Sequence, residues 1–311
     1  MIIRLGYVAL TKTLDITTSK TVTYTEYSKN NDLEKVNKTI ADNLINLEKV
    51  IDYNIKNNIH FYRLSSKLIP LATKDDVIFE YIDKYQKYYN KISKKISKSN
   101  MRVDFHPDQF CVLNSTKKEI VKNSINILEY QYKILEALSI KNKIIILHVG
   151  SSVLGKENSI KRFINNFNKL PNHLKECIAI ENDDKIYNVE DCLKISKILN
   201  IPIVLDYHHH ICNNCGDIKN YIVDIFKTWK TTPKIHFSSP KNKTKKDFRS
   251  HHDYINAEEF IEFLDKIKDI NYNFDIMIEA KAKDEALFRL TRQLKYHNYN
   301  FIDETTFINK K

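Results

Sequence analysis

Short apolar or β-branched runs alternate along the whole chain with longer segments whose apolar residues recur at three- and four-residue spacing, and this alternation is what most restricts the fold. The runs are IIRLGYVAL near the start, IHFYRLSS at 59–66, RVDFHP at 102–107, KIIILHVGS at 143–151, CIAIEND at 177–183, IPIVLDYHH at 201–209, KIHFSS at 234–239 and FDIMIEA at 274–280. Between most of them lie amphipathic stretches such as LEKVNKTIADNLINLEKVIDYNIKN, IVKNSINILEYQYKILEALSI and AEEFIEFLDKIKDI. Near-continuous apolar runs suit strands buried on both faces, and strands alternating with helices suit a parallel sheet.

Eight such strands predict an α/β fold, a closed (β/α)8 TIM barrel. Its 311 residues form a single domain, with the barrel over about 1–285 and a final helix and tail over 286–311. A doubly wound open sheet is the competing architecture, but it favours a glycine-rich nucleotide-binding turn after the first strand. With four glycines in the chain there is no such turn. Nor is there a secretory signal or an apolar run long enough to span a membrane, so a cytoplasmic protein is expected. Five scattered cysteines do not resemble a disulfide framework. The formal charge of +11 attracts polyanions if its lysines share a face, but such a skew also arises from composition alone.

In a barrel of this kind the active site lies at the carboxyl ends of the strands. Six successive strands end there in nitrogen or carboxylate donors: His106, His148, Glu181, Asp206 followed by His208 to His210, His236, and Glu279. A lone histidine at a strand end is more often a hydrogen-bonded structural residue. Six donors converging on one small volume, with unpaired carboxylates repelling one another, point instead to metal ions. Imidazole with carboxylate suits Zn, Mn, Fe or Co, and more than four donors suggests two or three ions. Such a cluster fits phosphodiester hydrolysis. It also fits a sugar isomerase or a non-catalytic metal- or nucleic-acid-binding protein. The Cys212 and Cys215 pair has zinc-ribbon spacing, but no second C-x-x-C accompanies it, so the pair reads as a bystander.

The ordered set IRLGY, YRLSS, DFHPDQF, LHVG, IEND, LDYHHH, KIHFSS, SHHDYI and MIEAKAK resembles the UV damage endonucleases, a family distantly akin to endonuclease IV, over nearly the whole chain. The resemblance implies a monomeric DNA repair enzyme that binds damaged double-stranded DNA. It would incise the backbone immediately 5′ to UV photoproducts, and abasic sites are a further candidate substrate. Manganese is the implied cofactor, with Zn2+, Co2+ or Mg2+ as alternatives. An abasic-site endonuclease of the endonuclease IV type remains the nearest other reading.

Carried over by motif, the implied ligands are His106, His148, Glu181, Asp206, His209, His236, His251 and Glu279. Glu181 would bridge two ions, with His106 and His148 on one and Asp206, His236 and Glu279 on the other; His209 and His251 would hold a third. Strand alternation puts His208 and His210 on the inner face with Asp206, but the strand ends there and a turn can bring His209 inward; the family pattern D-x-x-H selects His209. Lys234, two residues before His236, faces the barrel interior, where the family's lysine can be carboxylated; an unmodified phosphate contact is the alternative. Gln109 and Phe110 occupy the positions from which the family inserts a polar and an aromatic side chain into the duplex. Tyrosine is commoner at the latter, so Phe110 keeps the stacking surface and loses a hydroxyl. Tyr7 is a further candidate lesion contact, or a plug of the barrel mouth. Lys241, Lys243, Lys245, Lys246 and Arg249, after strand seven, are candidate phosphate contacts or simply solvated charge.

Overall fold

A computed structural model describes residues 1–309. Eight parallel strands run in chain order around a barrel: β1 (Ile2–Val8), β2 (Phe61–Arg63), β3 (Arg102–Asp104), β4 (Ile145–His148), β5 (Ile178–Glu181), β6 (Ile203–Asp206), β7 (Lys234–Phe237) and β8 (Phe274–Ile278). The ring closes between β3 and β4 through a bridge of Phe105 to Ile145, with Ile146 N donating to Phe105 O at 2.9 Å. The helices anticipated from the three- and four-residue spacing lie between the strands, among them Leu33–Lys56, Lys118–Ala137 and Ala257–Lys266. Their apolar stripes pack on the outward residues of the strands, such as Ile3, Leu5 and Tyr62.

Strand register sorts the inward residues into layers. At the floor, Asp275 is fully buried and receives Arg4 Nε at 2.6 Å and Arg102 Nη1 at 2.9 Å. The Arg102 guanidinium lies 5.1 Å from the centre of the Trp229 ring. Above it, Lys234 Nζ donates to Asp104 Oδ2 at 2.6 Å, both side chains being buried. On the opposite wall the interior is apolar, with Ile144, Ile146, Ala179 and Val204 packed together beside Trp229. The top layer holds Arg63, His148, Glu181, Asp206 and His236, with His148 in register with Glu181 and Asp206 with His236. Buried charges are costly unless paired, so the ladder of ion pairs below the top layer keeps a polar interior compatible with folding. Gly6 belongs to the middle layer, where a Cβ would lie 2.7 Å from the Phe61 ring.

Tyr7 corrects one expectation. Alternation along β1 turns Ile3, Leu5 and Tyr7 outward, and Tyr7 is fully buried with its hydroxyl donating to Asn54 at 2.8 Å on the Leu33–Lys56 helix. It neither touches a lesion nor plugs the mouth.

The final helix spans Lys283–Tyr296, and the segment after it forms β9 (Asn300–Phe301) and β10 (Thr306–Ile308). β10 runs antiparallel to the first half of β1, pairing Ile3 with Phe307. Along β1, β2 pairs with Tyr7 and Val8 alone, so β10 satisfies the lower part of β1 that β2 does not reach. Among the described residues no helix is long and apolar enough to cross a membrane.

Candidate metal centre

The donors that end β3 to β8 meet at the barrel mouth. Glu181, fully buried at the end of β5, has His106 Nε2 at 2.8 Å from Oε2 and His236 Nδ1 at 3.0 Å from Oε1. Ligand atoms of His106, His148 and Glu181 lie within 4.8 Å of one another, and so do those of Glu181, Asp206 and His236. Glu181 belongs to both groups, which places its carboxylate between them. Glu279 joins from β8, with His236 Nδ1 at 3.4 Å from its Oε1 and His251 Nδ1 at 3.9 Å from its Oε2.

The D-x-x-H spacing has a local cause. Directly after β6 the chain turns into a short helix, Tyr207–Cys212, capped by Asp206, whose Oδ1 accepts from His209 N at 2.8 Å. The turn brings the His209 ring back over the barrel, 3.6 Å from both Asp206 Oδ2 and Glu181 Oε1. His209 Nδ1 donates to the Asn182 carbonyl at 3.0 Å, leaving Nε2 for an ion. His208 and His210 are buried, His208 beside the rings of Phe248 and His251 and His210 beside that of Tyr207. Cys212 Sγ lies 3.8 Å from His208 Nε2. Among the described residues neither Cys212 nor Cys215 joins a group of donors close enough to share an ion.

Charge around these donors is set by burial and by neighbours. Burial alone raises the Glu181 carboxyl, but His236, His148 and His106 outweigh it and hold it well below the usual carboxylate range. Glu279 behaves alike, with Arg63 and His236 outweighing burial. Burial lowers His148 and His236, favouring neutral rings. Burial also opposes protonation of His209, but Asp206, Glu181 and Glu279 push it up to about 9. Burial brings Lys234 down to about 8 even with Asp104 beside it. Ionised Glu181 and Glu279 beside neutral His148 and His236 rings are the protonation states that divalent ions require of their ligands, whereas His209 would have to release its proton to bind one. His148 Nδ1 and Asp206 Oδ2 are buried without hydrogen-bond partners, so the donor set fits divalent ions.

Three residues of the centre escaped the sequence reading. Arg63 is buried at the end of β2, with Nη1 2.7 Å from Glu279 Oε1 and Nη2 2.7 Å from His236 Nε2. Arg63 thus faces the Nε2 edge of His236, whose Nδ1 faces Glu181. The same strand-end rule that singled out the histidines would have found Arg63 in YRLSS. Asp104, the partner of Lys234, precedes His106 by two residues and shares its inward face. Asn182 ties β5 to β6, accepting from Asp206 N and donating to Asp206 O, each at 2.9 Å.

Gln109 and Phe110 stand on an exposed turn after β3, where Phe110 is 70% exposed. Lys241, Lys243, Lys245, Lys246 and Arg249 are exposed on the loop after β7. That loop is pinned by the bridge of Pro240 to His251, and Arg249 Nε lies 3.6 Å from Asp184 Oδ2.

A profile of the family described as UV-endonuclease UvdE matches residues 3–307. The UV DNA damage endonuclease of Bacillus cereus strain G9842 is 43% identical over 303 residues, covering 94% of this chain and 95% of that protein. A crystal structure of SacUVDE superposes with a TM-score of 0.86 at 35% identity, over 95% of this chain and 99% of that one. Endonuclease IV from Thermus thermophilus shares the fold at a TM-score of 0.55 and 12% identity, over 80% of this chain and 94% of that one. A family profile across almost the whole chain and relatives above two-fifths identity over nearly their full length carry more than the barrel does, and the chain therefore belongs to the UV-endonuclease UvdE family and is a DNA repair endonuclease acting on UV damage.

Proposed function

We propose that this endonuclease works through two or three divalent ions, manganese by preference, and incises the strand immediately 5′ to a UV photoproduct. The observation that carries the reading is Glu181, with an imidazole within 3.0 Å of each carboxylate oxygen. His106 and His148 with Glu181 would hold one ion, Asp206, His236 and Glu279 with Glu181 a second, and His209 with His251 a third. Bound ions would supply Lewis-acid stabilisation of charge on the phosphate and water acidic enough to attack at neutral pH.

The remaining work falls to the chain's own groups. Arg63 orients both Glu279 and His236. The exposed turn with Gln109 and Phe110 meets the damaged duplex, where stacking on Phe110 helps offset the unstacking of damaged bases. The lysines of the 241–249 loop contact phosphates, fixing position and carrying no sequence information. Lys234, brought down to about 8, has a substantial neutral fraction near physiological pH. Its amine can attack the carbon of CO2 and release a proton to give a carbamate; intact-mass measurement on the native protein checks for the added carboxyl group. One barrel supplies every proposed ligand, so the enzyme acts as a monomer.

End-labelled duplexes carrying one pyrimidine dimer or one abasic site test the reading. Incision of the dimer duplex with Mn2+, abolished by EDTA and yielding a 3′ hydroxyl at the phosphate 5′ to the dimer, is expected. Absence of dimer incision with any divalent ion, or full activity in EDTA, would overturn it. Efficient cutting at the abasic site alone would favour the endonuclease IV type of substrate.

A further inference from the structure

We propose that Val153 and Leu154, at the tip of the loop after β4, form a second apolar wedge that enters the damaged duplex beside the Phe110 turn. This rests on the reading that the barrel mouth receives damaged DNA.

Three observations carry it. Val153 is 52% exposed and Leu154 72% exposed, on a loop that starts directly after His148 and therefore stands on the rim of the centre. Scattered exposed apolar residues are ordinary and by themselves mean little. Leu154, however, adopts a left-handed backbone, φ 64°, which a bulky side chain disfavours and which asparagine or glycine would take at less cost. The side chain itself gains little packing in return, since most of it lies in solvent. Strain held at an exposed apolar tip is a cost that a binding role explains.

The loop is also held rigidly. Ser159 Oγ donates to Val153 O at 3.0 Å, and Arg162 Nη2 donates to the same carbonyl. Asn158 Nδ2 donates to Leu154 O at 2.9 Å, and Gly155 N to Ser152 O at 3.0 Å. A tip meant to yield on contact would not need this many clamps; a wedge that must stay upright while bases unstack does.

Finally, the loop is fastened to the segment that carries Gln109 and Phe110. Asn114, fully buried, donates through Nδ2 to Ser151 O at 2.7 Å and accepts from Ser151 N at 3.0 Å. Arg162 Nε donates to Asn114 O at 3.0 Å. Gly150 lies so close that a Cβ would stand 2.5 Å from Asn114 Oδ1. The two loops thus form one unit above His148, and Pro107, Gln109, Val112 and Ser151 line a single cleft between them. Aliphatic side chains placed this way kink duplexes by entering base steps from the minor groove.

The test uses the full chain carrying Val153→Ser and Leu154→Gly, with a dimer-containing duplex that has 2-aminopurine opposite the lesion. A second duplex carries the same dimer opposite mismatched bases, already unstacked. The variant should melt no lower than wild type, because glycine relaxes the strained backbone. It should bind undamaged duplex normally, lose the 2-aminopurine fluorescence rise, and cut the paired substrate about tenfold more slowly, as expected when an aliphatic wedge no longer offsets part of the cost of unstacking a base step. On the mismatched substrate the rate should largely return. Wild-type fluorescence and rate on the paired duplex would overturn the proposal, as would an equal defect on both duplexes, which would place the effect in the centre itself. If wild type cuts neither duplex, the incision reading fails, while the fluorescence comparison still decides the wedge.

Discussion

Glu181 has imidazole against both of its oxygens, so replacing it by glutamine keeps the shape and removes the charge that any shared ion would need. Glu181→Gln should lower incision of a dimer duplex by at least about a hundredfold while leaving its affinity for that duplex within a few-fold. Nicking and mobility-shift assays on one preparation read both; near-normal incision would remove Glu181 from the centre. Arg63 is a different case, since its loss leaves the largely buried Glu279 carboxylate, 15% exposed, without its cation. Arg63→Ala should cost about 3 to 5 kcal/mol in urea unfolding. Arg63→Lys should recover part of that stability but not the incision rate, because an ammonium cannot reach two partners with one planar fork. Single residues were legible in the sequence where the strand-end rule was applied, as for His106 and Glu279. Tyr7 was misplaced because the same alternation that faces Arg4 and Gly6 inward was not extended to it.

Elements are joined at the mouth by Asp284, fully buried at the start of the last helix. It accepts from Thr11 Oγ1 at 2.7 Å, Lys12 N at 2.6 Å and Tyr53 OH at 2.9 Å, so it fastens the loop after β1 to both the first long helix and the last. Burial opposes its ionisation, but the donors from Thr13, Lys12 and Thr11 outweigh burial and lower the carboxyl below its ordinary value. A depressed carboxyl contributes stability that is fully present above the unfolded pKa and is lost as pH falls through the folded one. Asp284→Asn should therefore lower stability by on the order of 3 kcal/mol at pH 7. The gap to wild type should close as the pH falls below about 4. Urea titrations across that range check it, and a pH-independent difference would show that the carboxylate charge is not what holds the loop. The β9–β10 hairpin, by contrast, could not be read from the sequence. Its strands are two and three residues long, and what makes them strands is the unpaired half of β1.

At the scale of the whole molecule, the +11 charge becomes informative once part of it is placed on the loop after β7. Replacing Lys243, Lys245 and Lys246 by alanine should weaken binding to damaged and undamaged duplexes alike. For every phosphate that is no longer neutralised, the plot of log affinity against log salt should flatten by about 0.9. Fluorescence anisotropy over a salt series measures it; an unchanged slope would return these lysines to the solvated surface. Divalent ions should act on the whole fold as well, because they neutralise Glu181, Asp206 and Glu279 in one volume. At a hundredfold excess over its dissociation constant, Mn2+ should add about 2.7 kcal/mol of stability. Thermal melting should show this gain in wild type, and a smaller one in Glu181→Gln.

The sequence by itself determined the barrel and the row of donors at its mouth, because both follow from local periodicity: an apolar strand, a polar residue at its end, and a helix to return. Its ordered motifs also carried the resemblance to the UV damage endonucleases. Only the tertiary structure decided which neighbouring side chains share the site. His209 reaches Glu181 because Asp206 caps a helical turn, while His208 lies beside the Phe248 and His251 rings and His210 beside Tyr207. Arg63 meets Glu279 and His236 across the barrel, from residues far apart in the chain. Closing the ring of strands creates those contacts, and no periodicity in one segment encodes the geometry of another.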